Sequence, residues 1–155
     1  MVKKLSIILT AMLYVMVAAG VATAIAAEFG TAAEAKAMLE KAVAAVKADK
    51  AKALAMFTKG EGGFKDRDLY PFCGGLDGIF TAHPNPALAG KSLKDLKDKA
   101  TPAKALGAEM YQVAKEGKIS EVSYMWPRPG GTDPVQKVSF VTKVADQVCA
   151  VGYYK

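Results

Sequence analysis

The stretch LYPFCGGLDGIFTAHPN, Leu69 to Asn85, decides the fold. Leu69 to Cys73 is β-prone and runs into Gly74-Gly75. Asp77-Gly78 then stands between Leu76 and Ile79, a strong signal for a two-residue hairpin loop. Ile79 to His83 is the return strand, and His83-Pro84-Asn85-Pro86 stops it. A two-residue loop sets Leu76 opposite Ile79, Gly74 opposite Thr81 and Phe72 opposite His83. Side chains alternate faces along a strand, so Cys73 points away from the face that carries His83.

Beyond the hairpin, Ser92 to Glu116 is polar and Lys-rich, with Leu106, Met110 and Val113 at helical spacing. It predicts a loop and then a helix from about Pro102 to Glu116, with Gly117 just past its end. Met110 and Tyr111 are predicted core residues on it. Strands follow at Glu121 to Trp126, Gln136 to Val144 and Gln147 to Tyr154. If Ala145-Asp146 is a two-residue loop, Val144 faces Gln147, Thr142 faces Cys149 and Phe140 faces Val151. Cys149 then points away from the face carrying Lys137, Ser139 and Val141.

Ahead of the hairpin the chain is helical. Thr31 with Glu34 is a capping box. Behind it Ala35, Met38, Leu39, Ala42, Val43 and Val46 recur at helical spacing. Asp49 reads as a break and a new N-cap for a short helix carrying Leu54 and Phe57, which ends at Gly60. Helices, then five strands with a helical insertion after the second, make an α+β domain with a mainly antiparallel sheet.

The first residues read differently. Lys3 and Lys4 form a basic n-region, Leu5 to Val21 is nearly all apolar, and Ala24-Ile25-Ala26 supplies a small-x-small cleavage pattern. The expectation is a signal peptide over 1–26, cleaved after Ala26, and a single domain over 27–155 in a periplasmic or secreted protein. An uncleaved anchor is the alternative. No second long apolar run predicts stable membrane insertion after cleavage.

The chain has 21 Lys+Arg against 15 Asp+Glu, a formal charge of +6. Losing Lys3 and Lys4 with the leader lowers it to about +4. The lysines are dispersed, with no basic stripe or nucleic-acid module, so nucleic acid is not an expected partner. Arg67, between Asp66 and Asp68, reads as a solvated loop residue.

Catalytic signatures are missing. The sequence has no Cys-x-x-Cys, no Gly-x-Ser-x-Gly and no P-loop, and its one histidine cannot build a zinc site of the usual kind. These absences argue against an enzyme and call for no metal or cofactor. Cys73 and Cys149 are the only cysteines, in a chain read as exported. Two readings stand: a disulfide between adjacent first and last strands, or two buried thiols. If the bond exists, the cysteines share a face, and His83 and Lys137 share the opposite one. Tyr124 and Trp126 lie together on one face of their strand.

Taken in order, Asp68-Leu69-Tyr70, Leu76-Asp77-Gly78, Ala82-His83-Pro84-Asn85 and Gly90-Lys91-Ser92-Leu93 resemble the single Cache domains of type 2, PAS-like sensors of the bacterial extracytoplasmic space. Glu109-Met110, Ala114-Lys115, Tyr124-Met125-Trp126-Pro127, Lys137-Val138-Ser139-Phe140-Val141 and Gly152-Tyr153-Tyr154 continue the resemblance over nearly the whole of 27–155. It implies a five-stranded antiparallel sheet in the order 2-1-5-4-3 behind a long N-terminal helix, with first and last strands adjacent. It also implies a pocket on one sheet face for a small organic anion such as a short carboxylate. His83, Tyr124, Trp126 and Lys137 are the ligand-binding candidates carried over by position. Phe140 stands where many relatives have Tyr, removing a hydroxyl. Cache domains usually sit in transmembrane receptors ahead of kinase or chemoreceptor modules. The expected role is small-molecule sensing with output through a partner, a membrane receptor or kinase. A ligand-free interaction module on the same fold is the alternative.

Overall fold

A computed structural model describes residues 28–155. The predicted leader and its cleavage site lie outside the described residues. Helix α1 (Ala32–Ala48) starts at the expected capping box: the Glu34 carboxylate accepts the Thr31 N–H at 2.7 Å, and Thr31 Oγ1 accepts the Glu34 N–H. Asp49 ends α1 and caps α2 (Lys50–Lys59) in extended backbone, its carboxylate accepting the Lys52 N–H. Gly60 closes α2 in the left-handed region, where a side chain would be strained.

The strands are β1 (Pro71–Gly75), β2 (Phe80–Ala82), β3 (Ser120–Pro127), β4 (Pro134–Val144) and β5 (Gln147–Tyr154), in one antiparallel sheet ordered β2-β1-β5-β4-β3. This is the α+β, PAS-like arrangement expected. The β4–β5 register is the predicted one, with Thr142 opposite Cys149 and Phe140 opposite Val151. The first hairpin departs from prediction. Gly75 N–H bonds the Ile79 carbonyl, so the loop holds three residues, and Gly74 pairs with Phe80 rather than Thr81. A bulge at Thr81 restores the predicted phase, pairing Cys73 with Ala82.

Cys73 and Cys149 face each other across β1 and β5, with Cα atoms 4.1 Å apart, and are joined by a disulfide. They lie in the layer between sheet and helices, with Leu39, Phe57 and Val151. Phe140 belongs there too, stacked on Tyr153. The missing hydroxyl expected from Phe140 therefore takes nothing from the opposite face.

That opposite face is covered by the insertion. Helix α3 (Leu106–Val113) buries Leu106 and Met110 against a cluster that includes Phe72, Val122 and Val141. It is shorter than predicted at both ends. Buried Asp98 accepts the N–H groups of Ala100, Lys104 and Met125, holding the chain before the helix as a loop around one carboxylate. A turn from Lys115 to Lys118, with Gly117 at φ 71°, ends it early. Tyr111 is half-buried rather than core, and its hydroxyl donates to the Gly75 carbonyl. Among the described residues no helix is long and apolar enough to cross a membrane.

Candidate functional site

The site is built on one row of the sheet. Lys137 in β4 pairs with Tyr124 in β3 and Tyr154 in β5, so the three side chains rise on the face opposite the disulfide. Lys137 is only 1% exposed. Its stem crosses Gly152, where a Cβ would lie 2.5 Å from Lys137 Cε. A glycine at that position is what lets the lysine lie flat across β5.

The ammonium has a sparse set of partners. Nζ donates to the hydroxyls of Tyr70 and Tyr154, both at 3.3 Å, and sits 4.7 and 4.5 Å from their ring centroids. No described carboxylate lies within ion-pairing distance of it. Burial pulls its pKa down to about 7, with the Asp68 charge opposing and the Arg128 charge assisting. A buried ammonium without a paired anion is costly.

His83 follows β2 and is also buried. The rings of Tyr70, Phe72 and Phe80 surround it at 5.4 to 5.8 Å. Its Nδ1 accepts the Asn85 N–H at 2.8 Å, which assigns the ring proton to Nε2. Burial, and then the charge of Lys137, push its pKa down to about 4, so the ring is a neutral donor near pH 7. Tyr124 is buried, its hydroxyl shared with Ser139 Oγ at 2.8 Å. Burial raises the pKa of this phenol far above its ordinary value. Trp126 packs edge-on to Tyr124 and is half-buried.

His83, Tyr124, Trp126 and Lys137 all line one small inner cavity of about 20 Å³. An open outer chamber of about 350 Å³ adjoins it, sharing Tyr70, His83, Leu88 and Trp126 as walls. Aromatic and aliphatic groups dominate the inner wall, while the outer one carries Lys65, Arg67 and Arg128.

Sequence reasoning on the site missed Tyr70, Tyr154 and Arg128. Tyr154 was within reach, because the register that pairs Thr142 with Cys149 also puts Lys137 opposite Tyr154. Tyr70 lies two residues before Phe72, on the same alternation. Arg128 follows Pro127 in a Gly/Pro-rich loop that no register places. Arg67 is not a simple solvated residue. It pairs with Glu34 at 2.6 Å and Asp66 at 2.7 Å and donates to the Phe29 carbonyl, tying the loop before β1 to the start of α1.

Comparison with known proteins places this geometry. Among curated proteins, residues of this chain are 32% identical over 77 positions to the methyl-accepting chemotaxis protein McpP of Pseudomonas putida KT2440. That stretch is 49% of this chain and 14% of the receptor. A solved methyl-accepting chemotaxis protein from Vibrio parahaemolyticus superposes with a TM-score of 0.63 at 25% identity, covering 79% of this chain and 86% of that one. A periplasmic sensor domain of a chemotaxis protein gives 0.59 at 28% identity, covering 77% and 87%. A Cache chemosensory domain, solved as a structural basis for carboxylic acid recognition, gives 0.58 at 25%, covering 77% and 85%. The Cache domain profile dCache_2 matches residues 27–154, the whole described fold, and this chain therefore belongs to the Cache domain family of sensors.

Proposed function

We propose that this domain binds a short organic anion, a small carboxylate, and works outside the cytoplasm as a sensing module whose output passes through a partner such as a membrane receptor or kinase. One observation carries the reading: Lys137 is buried against a cavity with two phenol hydroxyls at 3.3 Å and, among the described residues, no carboxylate to pair with. A bound carboxylate supplies the missing charge through a charge-assisted hydrogen bond. His83 adds the Nε2–H as a second donor. Tyr124 and Trp126 exclude water, which strengthens both contacts. The likeness to a Cache domain solved for carboxylic acid recognition, and to a periplasmic sensor domain, supports the same reading. Export by the 1–26 leader would deliver the domain to that compartment.

The test is a thermal-shift screen with formate, acetate, propionate and larger acids, on the parent and on Lys137→Ala. A ligand at a hundredfold excess over Kd stabilises by about 2.7 kcal/mol, a shift of several degrees. The shift should shrink from about pH 6 to about pH 9, because the anion needs the ammonium and Lys137 loses its proton near 7. Equal shifts in parent and Lys137→Ala, or none with any acid, would overturn the reading and favour a ligand-free interaction module.

A further inference from the structure

The buried nitrogen of Lys137 can be relieved of its charge in two ways. An anion can enter beside it, or it can give up its proton. The second way leaves an amine lone pair at the wall of a cavity, and a desolvated amine is the form in which lysine acts as a nucleophile.

The groups around Nζ suit that form. Tyr70 stands just before β1 and Tyr154 lies in β5, and both hydroxyls are 3.3 Å from Nζ. The Tyr154 hydroxyl donates its own proton to the Pro127 carbonyl at 2.7 Å, so towards Nζ it only accepts and fixes one N–H. The Tyr70 hydroxyl proton has no acceptor among the described residues, and burial keeps that phenol protonated. It is free to serve an oxygen bound beside Nζ. His83 lines the same inner cavity as a neutral ring. The remaining charges, Asp68 and Arg128, are ion-paired at 3.7 Å and act on Lys137 in opposite senses.

The space is graded as well. The inner cavity, about 20 Å³, has room for a carbonyl group and little else. Leu88 and Trp126 line both this cavity and the open outer chamber, so a short apolar tail would lie along them.

We infer that Lys137 is a nucleophile that captures a short aldehyde as a reversible imine. The Nζ lone pair adds to the carbonyl carbon as the π pair of the C=O bond moves to oxygen. That oxygen, protonated through the Tyr70 hydroxyl, leaves as water, and both protons of the amine end in that water. One amine and one aldehyde give one imine and one water, with no oxidant or reductant. The C=N product is neutral, so the cost of holding a buried ammonium is removed. This goes beyond anion binding, because it uses the unprotonated form of the same nitrogen. A carboxylate that holds the ammonium form should compete with it.

The experiment treats the folded domain at pH 7 with propionaldehyde and cyanoborohydride, which reduces an imine to a stable secondary amine, and maps the labelled lysines by peptide mass. At that pH an ordinary lysine amine is free in about one molecule in 2,500, and that of Lys137 in about half. Lys137 should label at least about tenfold faster than the exposed Lys36 and Lys52 of the same chain. Unfolding in urea should bring all three to one rate. Lys137→Met should remove the fast site and leave the rest of the map unchanged. Pivalaldehyde, branched beside its carbonyl, should label Lys36 and Lys52 and spare Lys137. Labelling of Lys137 no faster than the exposed lysines overturns the inference, and so does an equally fast reaction with pivalaldehyde. Saturating acetate should slow labelling at Lys137 alone. If acetate raises the melting temperature while Lys137 labels slowly, imine capture alone falls. If Lys137 labels fast and acetate neither slows it nor binds, imine capture stands and the anion reading alone falls.

Discussion

Replacing Lys137 by Met should stabilise the empty domain and remove most of its dependence on pH between about 7 and 9. The unfolded chain keeps this lysine's proton up to its ordinary value of 10.5, whereas the native site releases it near 7. Across that interval the unfolded state binds the extra proton, so stability of the parent rises with pH. The limiting slope is about 1.4 kcal/mol per pH unit. Below pH 7 the full penalty is in force, roughly 5 kcal/mol for a side chain so thoroughly removed from water. The Asp68 charge is already contained in that figure, and water entering the cavity acts to lower it. Met has similar volume and no charge to desolvate. Tyr154 keeps its bond to the Pro127 carbonyl at 2.7 Å, so only the Tyr70 hydroxyl loses its protein partner, at a cost of about 1 kcal/mol. The variant should thus gain several kcal/mol near pH 6, and the gain should narrow as pH rises. The scan should stop near pH 9: burial holds Tyr70 at about 12, and unfolded tyrosines ionise near 10, which reverses the trend. Urea unfolding at fixed ionic strength with the disulfide intact reads this directly. Parallel stability curves for parent and variant from about pH 6 to 9 would refute the account of Lys137 as a desolvated, unpaired cation.

The Cys73–Cys149 bond spans 76 residues, and its loss should cost about 4 kcal/mol on the chain-entropy treatment. Thermal unfolding with and without reductant checks this, and an unchanged midpoint in a protein whose mass shows reduction would contradict it. Gly152→Ala should weaken acid binding by at least about tenfold, because the new methyl displaces the Lys137 stem. Titration with acetate measures it, and parent-like affinity would show that Gly152 does not position the lysine.

Much of the scaffold was legible because local rules act alone there. Thr31 with Glu34, and Asp49 between two helical runs, satisfy helix-end N–H groups without any distant partner. The β4–β5 register was legible although Ala145-Asp146 is a poor hairpin pair, and Ala145 does sit at φ 53°. Alternation of buried positions on both strands overrides the loop's own preference. The same alternation separates Phe140 from Lys137, a consequence that the family pattern obscured. What stayed hidden depends on tertiary partners. The Thr81 bulge moves one pairing without changing any apolar pattern, and the Asp98 carboxylate holds as loop a segment whose composition suits a helix. The setting of Arg128 between Phe29 and Tyr154 joins residues 99 and 26 positions away in the chain, which no periodicity reports.

The disulfide has a topological consequence. With the backbone between Cys73 and Cys149 it closes a covalent ring that contains His83, Tyr124, Trp126, Arg128 and Lys137. The exposed run from Pro129 to Pro134 lies on that ring, and its first three residues line the outer chamber. A protease nick there would separate His83 from Lys137 along the backbone, yet leave both in one molecule. Such a nicked chain would run as two fragments only after reduction, and each would then carry only part of the candidate site.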